Sequence, residues 1–172
     1  MRNKIKGKIS NKSDAGIITL DEFKKIPGYP EDDDFSRGPI AVIECDQDIP
    51  CNPCEEICKY GAIKVGKPIT NLPVLSAEKC RGCLKCITIC PGLCIFVVYR
   101  DYTDKTSLIY IPYEFSPLPE KNTYVDVLNR RGEKICKGSI RKVIKLAGSN
   151  KTFVIGMEIP KRFYNTARHF EF

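Results

Sequence analysis

A duplicated run of cysteines constrains this chain more than any other feature. Cys51-Asn-Pro-Cys54-Glu-Glu-Ile-Cys58-Lys-Tyr-Gly-Ala-Ile63 recurs 32 residues later as Cys83-Leu-Lys-Cys86-Ile-Thr-Ile-Cys90-Pro-Gly-Leu-Cys-Ile95. Nine of the ten cysteines lie between Ala41 and Arg100. A chain of 172 residues can bury a workable core without disulfide staples, so the thiols need another reason. Met1–Lys12 is basic and polar and has no apolar h-region, so an oxidising compartment is not implied. The longest apolar run, Leu93–Tyr99, falls far short of the ~20 residues that span a bilayer. A cytoplasmic protein without a transmembrane segment is expected.

Other chemistries have little material. His169 is the one histidine, which leaves little for imidazole acid–base work or a His-rich metal site. No two glycines stand two apart, so there is no G-x-G-x-x-G fingerprint for a dinucleotide. Gly61-Ala-Ile-Lys-Val-Gly66-Lys67 approaches a P-loop, but Pro68 stands where a Mg²⁺-binding hydroxyl is needed, and the match reads as chance. No residue is expected to be catalytic.

Cys80-Arg-Gly-Cys83-Leu-Lys-Cys86-Ile-Thr-Ile-Cys90-Pro91 matches the C-x2-C-x2-C-x3-C-P run of bacterial two-cluster ferredoxins residue for residue. In that arrangement each half supplies three cysteines to one cubane and its fourth to the other. Two [4Fe-4S] clusters are therefore expected: cluster I on Cys45, Cys51, Cys54 and Cys90, and cluster II on Cys80, Cys83, Cys86 and Cys58. Zinc, which favours two C-x2-4-C pairs, is the plainer competitor. Asp48, not a cysteine, lies 32 residues before Cys80, and the nearest upstream thiol is Cys45. Either Cys45 reaches the fourth corner over a longer loop, or Asp48 ligates, or the site holds three irons; thiolate softness favours Cys45. Lys59 replaces the proline of the run, as a solvated residue or as a positive charge that raises the potential of the nearby cluster. Cys94 reads as a small buried hydrophobe and Cys136 as a thiol without a role.

The rest of the chain divides around this region. Residues 1–37 read as an extended arm with a short helix near Leu20–Lys25, broken by Ile26-Pro-Gly-Tyr-Pro-Glu-Asp-Asp-Asp34. Residues 38–100 read as the ferredoxin-like domain. Residues 101–172 read as a small all-β module, with strands at Ser107–Ile111, Tyr124–Leu128, Ser139–Ile144 and Thr152–Ile159. The expected class is α+β.

Beyond the ferredoxin run, Gly38-Pro-Ile-Ala-Val-Ile-Glu-Cys45, Ile49-Pro-Cys51-Asn-Pro-Cys54, Ile109–Glu120 and Thr152–Pro160 resemble the small 4Fe-4S subunits of flavin-dependent, proline- and hydroxyproline-type amino-acid dehydrogenase complexes. The resemblance implies an electron-transfer subunit that relays single electrons. It implies FAD-containing dehydrogenase subunits and a small 2Fe-2S subunit as partners in a hetero-oligomer, and it makes Cys45 part of the family's cysteine pattern. A stand-alone two-cluster carrier is the alternative. A nucleic-acid protein is the third reading, suggested by Arg130-Arg131, Arg141-Lys142 and Lys161-Arg162 in a chain of net charge +7. The scatter of those pairs among strands argues against it, and no nucleic-acid partner is expected.

Overall fold

The apolar run Leu93–Tyr99 has no polar side because its strand has no solvent side. The computed structural model describes residues 17–149 and 151–172, so the reading of Met1–Lys12 lies outside the described residues. Within it Ile40–Ile43 (β1) pairs antiparallel with Ile95–Tyr99 (β4), Ile43 opposite Ile95 and Ala41 opposite Val97. Ile40, Val42, Phe96 and Val98 face one apolar core, while Ala41, Ile43, Ile95 and Val97 face a second. A strand buried on both faces reads as a continuous apolar run.

The chain is a mixture of helix and strand built on one seven-stranded sheet. Its strands also include Thr106–Tyr113 (β5), Tyr124–Leu128 (β6), Lys134–Ile144 (β7), Phe153–Pro160 (β8) and His169–Glu171 (β9). Their order is β1-β4-β5-β8-β7-β6-β9, and every pairing is antiparallel. The four strands expected after residue 101 are present, with β5 and β7 longer than expected. The boundary drawn after Arg100 falls in the turn between β4 and β5, which pair with each other, so the C-terminal strands continue the sheet that the cysteine region begins. Alternation puts Ile109 and Ile111 of β5, Val125 and Val127 of β6, and Ile155, Met157 and Ile159 of β8 into the first core.

The sheet curls back on itself. Edge strand β9 returns to strands far from it in the order: Phe170 stacks on Tyr113 at a centroid distance of 5.3 Å, and the Arg168 guanidinium lies 5.0 Å from the Phe96 ring centroid. A two-stranded sheet, Ile63–Lys64 (β2) with Val74–Leu75 (β3), completes the strands. No helix among the described residues is long and apolar enough to cross a membrane.

The segment expected as an extended arm contributes to the core. Leu20–Phe23 (α1) starts at a capping box in which Thr19 accepts from the Glu22 N–H and the Glu22 carboxylate accepts from the Thr19 N–H at 2.7 Å. Beyond it Ile26, Tyr29 and Phe35 are 1–2 % exposed and join the first core. Pro27 and Gly28 run between β1 and β3: the Ile43 N–H donates to the Gly28 carbonyl and the Leu75 N–H to that of Pro27, each at 3.1 Å. A Cβ on Gly28 would lie 2.8 Å from the Ile43 Cβ, so the close approach requires glycine.

Candidate metal centres

The cysteine repeat is also a repeat of conformation. Pro53–Ile57 (α2) and Lys85–Ile89 (α3) are five-residue helices 32 positions apart, each carrying the middle cysteine of its run, Cys54 or Cys86. After each helix the chain turns over Cys58 or Cys90, whose carbonyl accepts from the N–H of Gly61 at 2.9 Å or of Leu93 at 3.2 Å. Gly61 and Leu93 both have positive φ, +61° and +50°. The flanking strands obey the same offset, since Ile43 pairs with Ile95 and Leu75 with Ile63. Two β-α-β units, β1-α2-β2 and β3-α3-β4, thus exchange strands: the first strand of each pairs with the last of the other. α2 packs on α3 at the centre.

This exchange carries Cys58 and Cys90 away from their own runs. One cavity, here cavity I, is lined by Cys45, Cys51, Cys54 and Cys90 together with Cys94, over a floor of Ile43 and Ile95. Cavity II is lined by Cys58, Cys80, Cys83 and Cys86, over Ala41, Ile63 and Val97. Counted to their open mouths they hold about 390 and 350 Å³. All eight thiols named from the sequence line one of the two cavities, in the two groups of four expected. Asp48 is exposed and does not line cavity I, whereas Cys45, just past the end of β1, does. Cys136 sits on β7 opposite Val127, outside both linings. All ten cysteines are free thiols.

Among the described residues neither cavity wall holds a carboxylate or an imidazole, and soft sulfur outnumbers the other side-chain donors, the Gln47 and Asn71 amides of cavity I and the Tyr60 hydroxyl of cavity II. Among the described residues, no three His, Cys, Asp or Glu side chains converge as ligands to a single metal ion. The thiols ring a volume instead. Backbone N–H groups approach several of them: Ala62 donates to the Cys58 sulfur at 3.3 Å and Ala41 to that of Cys80 at 3.4 Å. Cys90, the partner of Cys58 in the repeat, has backbone donors at Gly92, Leu93 and Cys94.

Environment separates the thiols. Burial pushes the Cys54 thiol up to about 11 and raises that of Cys86 as well. The Cys94 side chain acts oppositely on its neighbours. Its sulfur lies 3.5 Å from that of Cys90, and its hydrogen bonds draw Cys90 down to about 6 and Cys45 down to about 7, while its own proton is held tightly. Read from sequence as a small buried hydrophobe, Cys94 is half-buried with its sulfur in hydrogen-bond reach of the Cys90 sulfur, either thiol able to donate. Cavity II has Ala62 at that position.

Loop geometry differs too. Gly82 and Leu84, at φ +57° and +68°, curl the Cys80–Cys86 loop around cavity II. A Cβ at position 82 would meet the Pro39 carbonyl oxygen at 2.6 Å. The near P-loop has its amides occupied: the N–H groups of Val65 and Gly66 donate to the Glu55 carboxylate at 2.7 and 2.9 Å. These bonds, with Lys64, hold that carboxyl down to about 2, and they leave no phosphate cradle.

One charged group was not singled out from the sequence. Glu44, immediately before Cys45, is buried with a 5 % exposed side chain between Arg130 and Arg168. Arg130 Nε donates to Glu44 Oε2 at 2.9 Å and Arg168 Nε to Oε1 at 2.8 Å. Burial alone would raise the Glu44 pKa, but the two guanidiniums outweigh it and hold the carboxyl below its ordinary range. This ionic cluster fastens β9 and the β6–β7 turn to the end of β1 and closes the curled sheet next to cavity I. The sequence signal was only an acid directly after the apolar run Ile40–Ile43. Arg130 is thereby spent internally. Arg141 pairs with Glu158 and Lys161 with Asp101, so three of the basic side chains that suggested nucleic acid serve contacts within the chain.

No family model matches this chain, and no curated protein or solved structure matches it either.

Proposed function

We propose that the chain is a two-cluster electron carrier, holding one [4Fe-4S] group in each cavity and serving as the electron-transfer subunit of a flavin-dependent amino-acid dehydrogenase. The observation that carries the proposal is the crossover: each cavity draws three thiols from one half of the repeat and the fourth from the other. That is the ligand plan of the two-cluster ferredoxin run. The donor set fits the group, being four thiols per cavity with soft character and an apolar floor.

When bound, such clusters accept and release single electrons. The chain's own residues do the rest. Cys45, Cys51, Cys54 and Cys90 would hold the first group, and Cys58, Cys80, Cys83 and Cys86 the second, each as a thiolate. The Ile43–Ile95 and Ala41–Val97 pairs exclude water from the inner side. Amide donors at Cys58, Cys80 and Cys90 favour added negative charge on the sulfurs. Ten free thiols suit a reducing, cytoplasmic setting.

The dehydrogenase assignment rests on the resemblance of Gly38–Cys54, Ile109–Glu120 and Thr152–Pro160. Co-expression with candidate flavoprotein subunits tests it. The expected result is co-purification with flavin absorbance; a cluster-loaded monomer that binds no flavoprotein favours the stand-alone carrier.

A further inference from the structure

The two cavities differ in the charged residues around them. Between Glu44 and Cys54, around cavity I, the chain has three acids, Glu44, Asp46 and Asp48, and no base. Glu44 is buried on its arginines, and Asp48 is exposed. Around cavity II the balance reverses. Lys79, Arg81 and Lys85 interleave with the three ligands of that loop, Lys59 follows Cys58, and Glu78 is the one acid between Ala77 and Cys86. Lys59, Lys79 and Arg81 are exposed, and Arg81 and Lys85 line the cavity itself. Among the described residues none of these four side chains forms an ion pair, in contrast to Lys64 nearby, which lies 3.0 Å from Glu55. In the lining of cavity II, Cys83 is the one exposed cysteine, and Tyr60 is 50 % exposed.

A basic rim could simply offset the negative charge of a thiolate-bound cluster. Cavity I would carry the same ligand charge and, among the described residues, has no basic side chain in its lining, so charge balance does not account for the difference. Resting on the two-cluster reading, we propose that the mouth of cavity II, ringed by Lys59, Lys79, Arg81 and Lys85, is the docking face for an acidic electron-transfer protein. Complementary charge steers such a partner to the mouth whose lining holds the exposed Cys83. One electron passes between the partner's redox centre and the cluster, and no bond forms or breaks. A nucleic-acid strand is the lesser fit, because among the described residues Tyr60 is the one aromatic side chain lining this mouth for a base to stack on.

The test uses full-length holo-protein and a reduced acidic flavodoxin as one-electron donor, with cluster reduction followed by stopped-flow absorbance at several ionic strengths. Iron, sulfide and electron paramagnetic resonance are measured first on every variant. If the wild type binds no iron–sulfur cluster, the two-cluster reading itself fails, and the docking face fails with it. With clusters present, the wild-type rate is expected to fall as salt rises. The combined Lys59→Glu, Lys79→Glu and Arg81→Glu variant is expected to lose about tenfold or more and to reverse the salt dependence. Should that variant lose its clusters, the single changes Lys59→Gln, Lys79→Gln and Arg81→Gln are each expected to slow the reaction in the same direction. Asp48→Lys at the other mouth is expected to leave the rate within about twofold or to raise it. A rate and salt slope unchanged in the loaded basic-rim variants overturn the proposal. So does a single-stranded oligonucleotide that binds this face and displaces the flavodoxin.

Discussion

Cavity I and cavity II descend from one template and differ in what surrounds it. Both set four thiols over an apolar strand pair, and both take the fourth thiol from the opposite half of the repeat. Cavity I has a fifth thiol, Cys94, beside its ligands and no exposed cysteine; cavity II has Ala62 there and the exposed Cys83. One lies against the Glu44–Arg130–Arg168 cluster and a loop with Asp46 and Asp48, the other against a loop with Lys79, Arg81 and Lys85. The thiols are what the two halves share, and the surroundings are where they differ. Cluster potential depends on sulfur hydrogen bonds, charge and exposure, so two centres of identical ligation are expected to differ in potential.

The harshest way to break the comparison is to remove the crossing cysteines. Cys90→Ala is expected to empty cavity I and Cys58→Ala cavity II, each removing about half of the iron and leaving the other cluster's resonance in place. Swapped outcomes would mean that each fourth cysteine serves its own half.

Next in size is Glu44→Gln, which leaves two guanidiniums buried without their counter-charge. A loss of about 3–5 kcal/mol is expected in denaturant unfolding, with iron released from cavity I before cavity II. Because the Glu44 pKa is lowered in the fold, its contribution is complete at pH above the ordinary glutamate range. It is lost as pH falls below that range toward the lowered folded value. The wild type should therefore lose stability on acidification through this window, and Glu44→Gln should show a shallower loss.

Gly28→Ala follows, since its Cβ would press on Ile43 at 2.8 Å where the N-terminal segment bridges β1 and β3. We expect about 1–3 kcal/mol of destabilisation by thermal or denaturant unfolding, with both clusters still bound.

The mildest change sharpens the comparison. Cys94→Ala removes the S–H donor from Cys90 and Cys45, and potentiometric titration should show the potential of cluster I falling while that of cluster II stays fixed. Ala62→Cys, the reciprocal change, should raise that of cluster II.

The grouping of eight thiols around two cavities was legible in sequence because its signal is local: fixed spacings in a duplicated run name the thiols and how they divide. The strands after residue 101 were legible for a similar reason, alternation of β-branched residues between turn signals. What escaped was long-range. β1 and β9 are four and three residues long, and each is recognisable only from its partner strand. The residues from Ile26 to Phe35 look like a loop because proline and aspartate punctuate them, yet Ile26, Tyr29 and Phe35 are core. Spacing cannot show that Glu44 meets Arg168, 124 residues away. The contribution of Cys94 escaped because a sulfur that hydrogen-bonds to thiols has the same letter as one that only fills space.

The most direct test of the account is elemental analysis of anaerobically purified protein, with acid-labile sulfide and electron paramagnetic resonance of the reduced form. Two cubanes predict about eight irons and about eight sulfides per chain, with two magnetically interacting clusters on full reduction. Zinc without sulfide, or iron for one cluster only in intact protein, would contradict it.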